Sequence, residues 1–264
     1  MIRSGRADGV PYSLSRWTDV AAGKWSWFEA CLKAGKLAAF EPRCAEPQIW
    51  SLAPEDTLGL TFWTKNPSNL ILNKELLKPY NVVVQMTITG WYEAEAGVPD
   101  YEKAASLMFH ASKEFKVYWR FSPIPVLPQD ELLPRFSYLL TYASVGCGLD
   151  RVYVSFLQKN DRMPETRSPQ EKYDVLNSLA ELAADRGVKV VLCDDDRSVW
   201  KPGAAFEPGV CAPASDFDGP TVEEECGCVL MADPFTINEA CPYNCAYCYT
   251  ADNNISPERR NTTC

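Results

Sequence analysis

Cys241-Pro-Tyr-Asn-Cys245-Ala-Tyr-Cys248 places three thiols within eight residues, with an aromatic residue just before the third. A C-x3-C-x2-C spacing lets three thiolates of one loop hold three irons of a single iron–sulfur cluster, leaving one metal position open for chemistry. The alternative is a zinc knuckle. Zinc closes its site with a fourth ligand, usually through C-x2-C pairs or a nearby histidine, and the only histidine is the remote His110.

Four further cysteines, Cys193, Cys211, Cys226 and Cys228, precede this loop. Four thiolates can ligate a second cluster or a structural zinc, and unpaired cysteines also serve as ordinary core residues. Cys31, Cys44 and Cys147 read as packing residues, and Cys264 has no evident role.

These groups need elements to position them. Tyr12–Leu14, Leu58–Trp63, Asn81–Thr87, Lys116–Phe121, Arg151–Phe156 and Val188–Cys193 are β-branched and aromatic runs that read as six strands, with Cys228–Ala232 as a seventh candidate. Amphipathic stretches lie between them. Trp25, Phe28, Cys31 and Leu32 share one helical face, as do Tyr101, Ala104, Ala105, Met108, Phe109 and Phe115. The clearest helix is 169–186, with Ser168 as N-cap, Pro169 at the first position, Glu171 completing a capping box and Gly187 closing the end. Its core stripe is Tyr173, Leu176, Leu179, Ala180 and Ala183.

Alternating strands and helices imply right-handed crossovers and a parallel sheet, open or closed into a barrel; six or seven repeats favour an α/β fold of the partial (β/α) barrel type. Chemistry in such barrels gathers at the carboxyl ends of the strands. Arg16 and Asp19, Lys65 and Asn66, Gln85 and Thr87, Arg120, Ser155 and Asp194–Asp196 fall there. Lys65 and Arg120 either bind an anionic group or form ion pairs at the mouth, with Asp19 or Glu55 as partners. The Pro-, Gly- and acid-rich stretch 201–225 reads as a long loop bringing cysteines to the mouth.

A chain of 264 residues with 46% hydrophobic content supports one large domain, 1–264, whose cysteine-rich segment 201–264 belongs to it. A net charge of -9 argues against a generally basic nucleic-acid footprint, though Arg3, Arg6, Arg16 and Lys24 can form a local patch. Eleven cysteines, an odd number concentrated towards the C-terminus, point to metal in a reducing compartment rather than a disulfide scaffold. The N-terminus has no apolar signal region and no apolar run approaches membrane-spanning length, so a soluble cytoplasmic protein is expected.

Several motifs carry a resemblance. Ser13-Leu-Ser-Arg16-Trp17-Thr-Asp19, Leu52-Ala-Pro-Glu-Asp56, Phe62-Trp-Thr-Lys65-Asn66-Pro67, Tyr118-Trp-Arg120-Phe-Ser122-Pro-Ile124, Cys226-Gly-Cys228-Val229 and the loop from Cys241 to Tyr249 occur in the order seen in the family called domain of unknown function 1848. That family resembles radical S-adenosylmethionine (SAM) proteins with a C-terminal cluster motif. Trp17 and Ser122 depart from the family's arginine and aspartate, removing two charges.

The resemblance implies a barrel permuted relative to the usual radical SAM barrel, because the cysteine loop comes last. It implies a 4Fe-4S cluster on Cys241, Cys245 and Cys248, SAM on the open iron, and Tyr247 beside the adenine. It also implies a second 4Fe-4S cluster on Cys193, Cys211, Cys226 and Cys228. Lys65, Asn66, Gln85 and Arg120 would contact the cofactor, and Arg16, Asp19 and Arg120 would act in catalysis. The expected activity is radical modification or rearrangement, an isomerase-type reaction, with flavodoxin or ferredoxin as reductant. The substrate is a small molecule or a nucleobase, with a modified thymine of phage DNA as one candidate; Trp17, Trp63, Tyr92 and Trp119 could stack a base. The competing class is an iron–sulfur or zinc module for electron transfer or structure that never meets SAM.

Overall fold

In the computed structural model, residues 2–14, 16, 18–39, 46–157, 162–193, 199–224, 226–234 and 241–248 are described. Their strands are β1 (Ile2–Arg3), β2 (Tyr12–Leu14), β3 (Lys36–Ala39), β4 (Gln48–Ser51), β5 (Leu60–Thr64), β6 (Val82–Thr87), β7 (Lys116–Phe121), β8 (Arg151–Val154), β9 (Lys189–Leu192) and β10 (Glu207–Pro208). Seven of them make one sheet in the order β10-β9-β8-β7-β6-β5-β2, and every neighbouring pair is parallel. Parallel neighbours in chain order require crossovers, and helices Tyr101–Ser112, Gln129–Thr141 and Pro169–Ala184 supply them between β6, β7, β8 and β9.

The six strands read from the sequence are the six that form the sheet with β10. The seventh differs: β10 holds that place, whereas Val229 and Ala232 make only isolated bridges, antiparallel to Glu223 and parallel to Tyr12. The small sheet β1-β4-β3 has no counterpart in the sequence reading. Its strands are short, and β1 has just two residues, too few for periodicity to register.

The bridge at 232 joins the 229–232 segment to the edge strand β2, and Val229 meets Ala212, which follows β10 at the other edge. Gly209 donates to the Leu192 carbonyl, Val229 to Ala212, and Ala232 to Pro11, while Ser13 donates back to Ala232. The last described strand-like segment therefore lies beside the first strand of the sheet. The cysteine loop, which follows this segment, thus reaches the chain just after β2.

Period-two alternation sorts the strand side chains onto two faces. Phe62, Val84, Met86, Trp119, Phe121, Val152, Val154, Val190 and Leu192 pack in one cluster with helical residues such as Met108, Phe136, Leu176 and Leu179. Trp119 stacks on Phe136 with centroids 5.3 Å apart. Truncating a ring buried like Phe136 costs about 3–5 kcal/mol. The opposite face, including Tyr153, Val191, Trp63 and Tyr118, packs against Cys211, Ala212, Phe217, Cys228, Val229 and Met231. The stretch 201–225 is consequently more than a loop at the mouth, because part of it enters the barrel and fills its interior. Asp216 anchors it at the amino ends of the strands, accepting from Tyr118 Oη at 2.7 Å and pairing with Lys116 at 2.6 Å.

The helix expected at 169–186 spans Pro169–Ala184, and its capping box forms as read, with Ser168 accepting from Glu171 N and the Glu171 carboxylate accepting from Ser168 N. Leu176, Leu179, Ala180 and Ala183 are buried, whereas Tyr173 lies at the edge against Phe206. Cys31 and Cys147 pack against the outer core, and Cys44 lies outside the described residues. Among the described residues no helix is long and apolar enough to cross a membrane.

Candidate metal centres

Cys241, Cys245 and Cys248 share a cluster with Trp91, Ala94, Leu157, Tyr243 and Tyr247. Their loop is fixed by short-range geometry. Asn244 takes a left-handed backbone, φ 43°, a conformation that asparagine tolerates better than most residues. Cys248 N donates to the Cys245 carbonyl, Ala246 N to Ala94, and Arg162 N to Tyr247. Two glycines let the loop dock closely: a Cβ on Gly97 would lie 2.9 Å from the Tyr243 carbonyl oxygen, and one on Gly23 would lie 2.8 Å from the Pro242 ring.

The polar groups around the loop come from the carboxyl ends of neighbouring strands. Asp19, after β2, accepts from Ala22 N at 2.9 Å, Thr64 Oγ1 at 2.8 Å and Lys65 N at 2.8 Å. Burial pushes its carboxyl up to about 6 despite these donors. Burial likewise raises the Cys241 thiol, against the backbone donors of Tyr243 and Asp19. Cys245 is pushed up to about 11 by burial, with the nearby Lys65 ammonium pulling the other way.

Lys65 ends neither on Asp19 nor on Glu55. Its Nζ lies 2.6 Å from Glu95 Oε1, and both side chains are largely buried. Glu95 also accepts from Thr89 Oγ1 at 2.7 Å and from the Tyr247 hydroxyl. Burial opposes the Lys65 charge, but attraction to Glu95 and Cys245 outweighs it and holds the ammonium protonated. Tyr247 stacks on Trp91 at 5.6 Å, 15° from parallel, with Lys65 Nζ 5.8 Å from its ring centroid. Burial and the Glu95 charge raise its phenol well above the ordinary value.

Glu95, Trp91 and Tyr243 were not singled out in the sequence, and neither was Asp233. Asp233 accepts from Ser13 Oγ at 2.7 Å and Arg16 N at 3.0 Å, with Arg16 Nε at 3.8 Å. Asn66 turns back on its own chain, where Oδ1 accepts from Ser68 N and Ser68 Oγ. Ser155 pairs with Ser122 by a short hydroxyl contact. Asp194–Asp196 and Trp17 lie outside the described residues.

The second cysteine set sits against the interior face. The Sγ atoms of Cys193, Cys211 and Cys228 all lie within 4.8 Å of one another, and Cys211 and Cys228 are 3.8 Å apart. Cys193 follows β9, and the other two belong to the segment that fills the barrel. Gln85, buried on β6, donates to the Cys211 carbonyl at 2.6 Å, so it braces this set rather than the first. Arg120 lies 5.2 Å over the Trp63 ring and its charge favours the thiolates of Cys193 and Cys211. The Cys193 thiol is nevertheless held far above its ordinary value, first by hydrogen bonding to Cys211 and Cys228, then by burial. Cys226 lies apart from the close trio; its Sγ accepts from Cys228 N at 3.4 Å and approaches Glu224 Oε2 at 3.9 Å.

Among curated proteins none matches this sequence. A solved structure, a sugar phosphate isomerase/epimerase from Parabacteroides distasonis ATCC 8503, is similar at 10% identity and a TM-score of 0.32. The similarity covers 51% of this chain and 50% of that one, so the chain spans about half the length of the structure it matches. The family described as Domain of unknown function (DUF1848) matches residues 12–250, from the first strand of the sheet past the three-cysteine loop, and the chain belongs to that family.

Proposed function

We propose that the protein is a radical SAM enzyme in which Cys241, Cys245 and Cys248 hold three irons of a 4Fe-4S cluster and SAM binds the fourth. When bound, the cluster supplies one-electron cleavage of SAM to a 5'-deoxyadenosyl radical. The donor set fits, because three soft thiolates suit iron–sulfur ligation and, among the described residues, this loop does not form a close single-ion trio. The observation that carries the reading is the position of the loop, with Cys241 against Asp19 after β2 and Cys245 beside Lys65 after β5.

The chain's own residues have definite tasks in this reading. Lys65 offsets the negative charge of a thiolate at Cys245, and Glu95 keeps that ammonium in place. Trp91 and Tyr247 form an apolar wall that excludes water. Arg16 presents a guanidinium at the same end of the barrel, oriented by Asp233, for an anionic group of SAM or substrate. The substrate is an organic molecule with an activatable C–H bond, and a modified thymine in DNA is the nucleobase to assay.

Anaerobic reconstitution with iron, sulfide, dithionite and SAM should yield 5'-deoxyadenosine, and Cys241→Ala/Cys245→Ala/Cys248→Ala should abolish it. Zinc in this loop with no iron after anaerobic purification would end the reading.

A further inference from the structure

The geometry points to a single tetrahedral zinc ion, not a second iron–sulfur cluster, at Cys193, Cys211 and Cys228, with Cys226 as the fourth thiolate. Zinc–sulfur bonds of about 2.3 Å in a tetrahedron set the sulfurs about 3.8 Å apart. Cys211 and Cys228 stand at 3.8 Å, and the Cys193 sulfur lies within 4.8 Å of both. A four-iron cluster binds each thiolate to a different iron, so its sulfurs must stand much farther apart than ligands of one ion. The trio is too tight for that cluster.

The surroundings agree. Two of the three thiols are buried in the interior cluster with Ala212, Phe217, Val229 and Met231, and the Cys211 backbone is held by Gln85. A cluster would require this packed interior to open. A single ion fits between thiols that already meet, and closed sites of thiolate ligands suit structural zinc. Cys226, two residues before Cys228 and hydrogen-bonded to its N–H, is on hand to complete the tetrahedron.

The ion would tie together three parts of the chain: the end of β9, the 210–212 stretch and the return segment at 226–229. Its role is to lock the barrel's closing seam. This inference does not depend on the chemistry at Cys241, Cys245 and Cys248.

The test is metal analysis of the full chain purified anaerobically, wild type beside Cys241→Ala/Cys245→Ala/Cys248→Ala. About one zinc per chain in both, with iron confined to the wild type, is the expected result. Zinc in both and iron in neither would support this site while removing the cluster reading. Iron retained in the triple variant, or no zinc in either protein, would overturn the inference. Cys211→Ser should lose the zinc; because that variant can fail to fold, cobalt loading of the triple variant gives a second measurement. Thiolate-to-cobalt charge transfer with intense tetrahedral d–d bands is expected, and octahedral cobalt bands without charge transfer would count against it.

Discussion

Lys65→Ala would leave Glu95, 5% exposed, as a buried carboxylate without its cation. Breaking a buried pair by removing one partner costs about 3–5 kcal/mol, and urea unfolding of the reduced protein should show a loss of that order. Lys65→Met/Glu95→Gln, which removes both charges, should recover most of it. If Lys65→Ala unfolds like the wild type, the pair is not a buried commitment. Tyr247 separates ring from hydroxyl: Tyr247→Phe keeps the stack on Trp91, and Tyr247→Ala removes it. Anaerobic calorimetry should find SAM affinity nearly unchanged for Tyr247→Phe and up to about tenfold weaker for Tyr247→Ala, the scale of an aromatic contact. Equal losses in both variants would shift the role to the phenol. The cysteines were legible in the sequence because ligand spacing is local. Glu95 was not, since it lies in an irregular loop and gains its meaning from Lys65 and Tyr247, which are distant in sequence.

Elements position these residues through close contacts that tolerate little added bulk. Gly97→Ala would drive a Cβ against the Tyr243 carbonyl, a backbone atom that cannot rotate away. The expected outcome is reduced iron retention after anaerobic purification with an unchanged far-ultraviolet circular dichroism spectrum. Full iron retention would show that the loop docks otherwise. Away from the site, Ser168→Ala removes half of the capping box at the start of Pro169–Ala184 and should destabilise the protein by about 1 kcal/mol, read by denaturant midpoint. That helix announced itself because Ser168, Pro169, Glu171 and Gly187 all mark it locally. The helix Gln129–Thr141 has no counterpart in the sequence reading, since Pro134 lies inside it and proline ordinarily reads as a helix break.

At the scale of the whole molecule, the strand alternation made the parallel sheet readable, but the filled interior was not. Residues 211–217 and 228–231 pack inside the barrel through contacts with Tyr118, Tyr153 and Val191. The first of these segments lies within the Pro-, Gly- and acid-rich stretch 201–225, which has no period that would disclose burial, and the second read only as a candidate strand. Truncation before residue 226 should therefore damage more than the cysteine loop, because it uncovers β2 and the interior face together. Light scattering and gel filtration should show aggregation of the truncated chain, in contrast to a monodisperse Cys241→Ala/Cys245→Ala/Cys248→Ala protein. A soluble, monodisperse truncation would mean that the return segment does not close the barrel.

The bond between Ser13 and Ala232 also has a consequence for synthesis. The two residues lie far apart in the sequence, so β2 emerges from the ribosome long before its outer neighbour exists. At about 5–20 residues per second, the wait is roughly 10–40 seconds. Throughout that time the strand edge has no partner of its own and is open to pairing with other nascent chains. The seam can form only once residue 232 has been made, so the ion proposed for the interior thiols would be enclosed only after that point. Under that proposal, shortage of metal at that moment, more than shortage later, should decide how much of the protein is recovered folded.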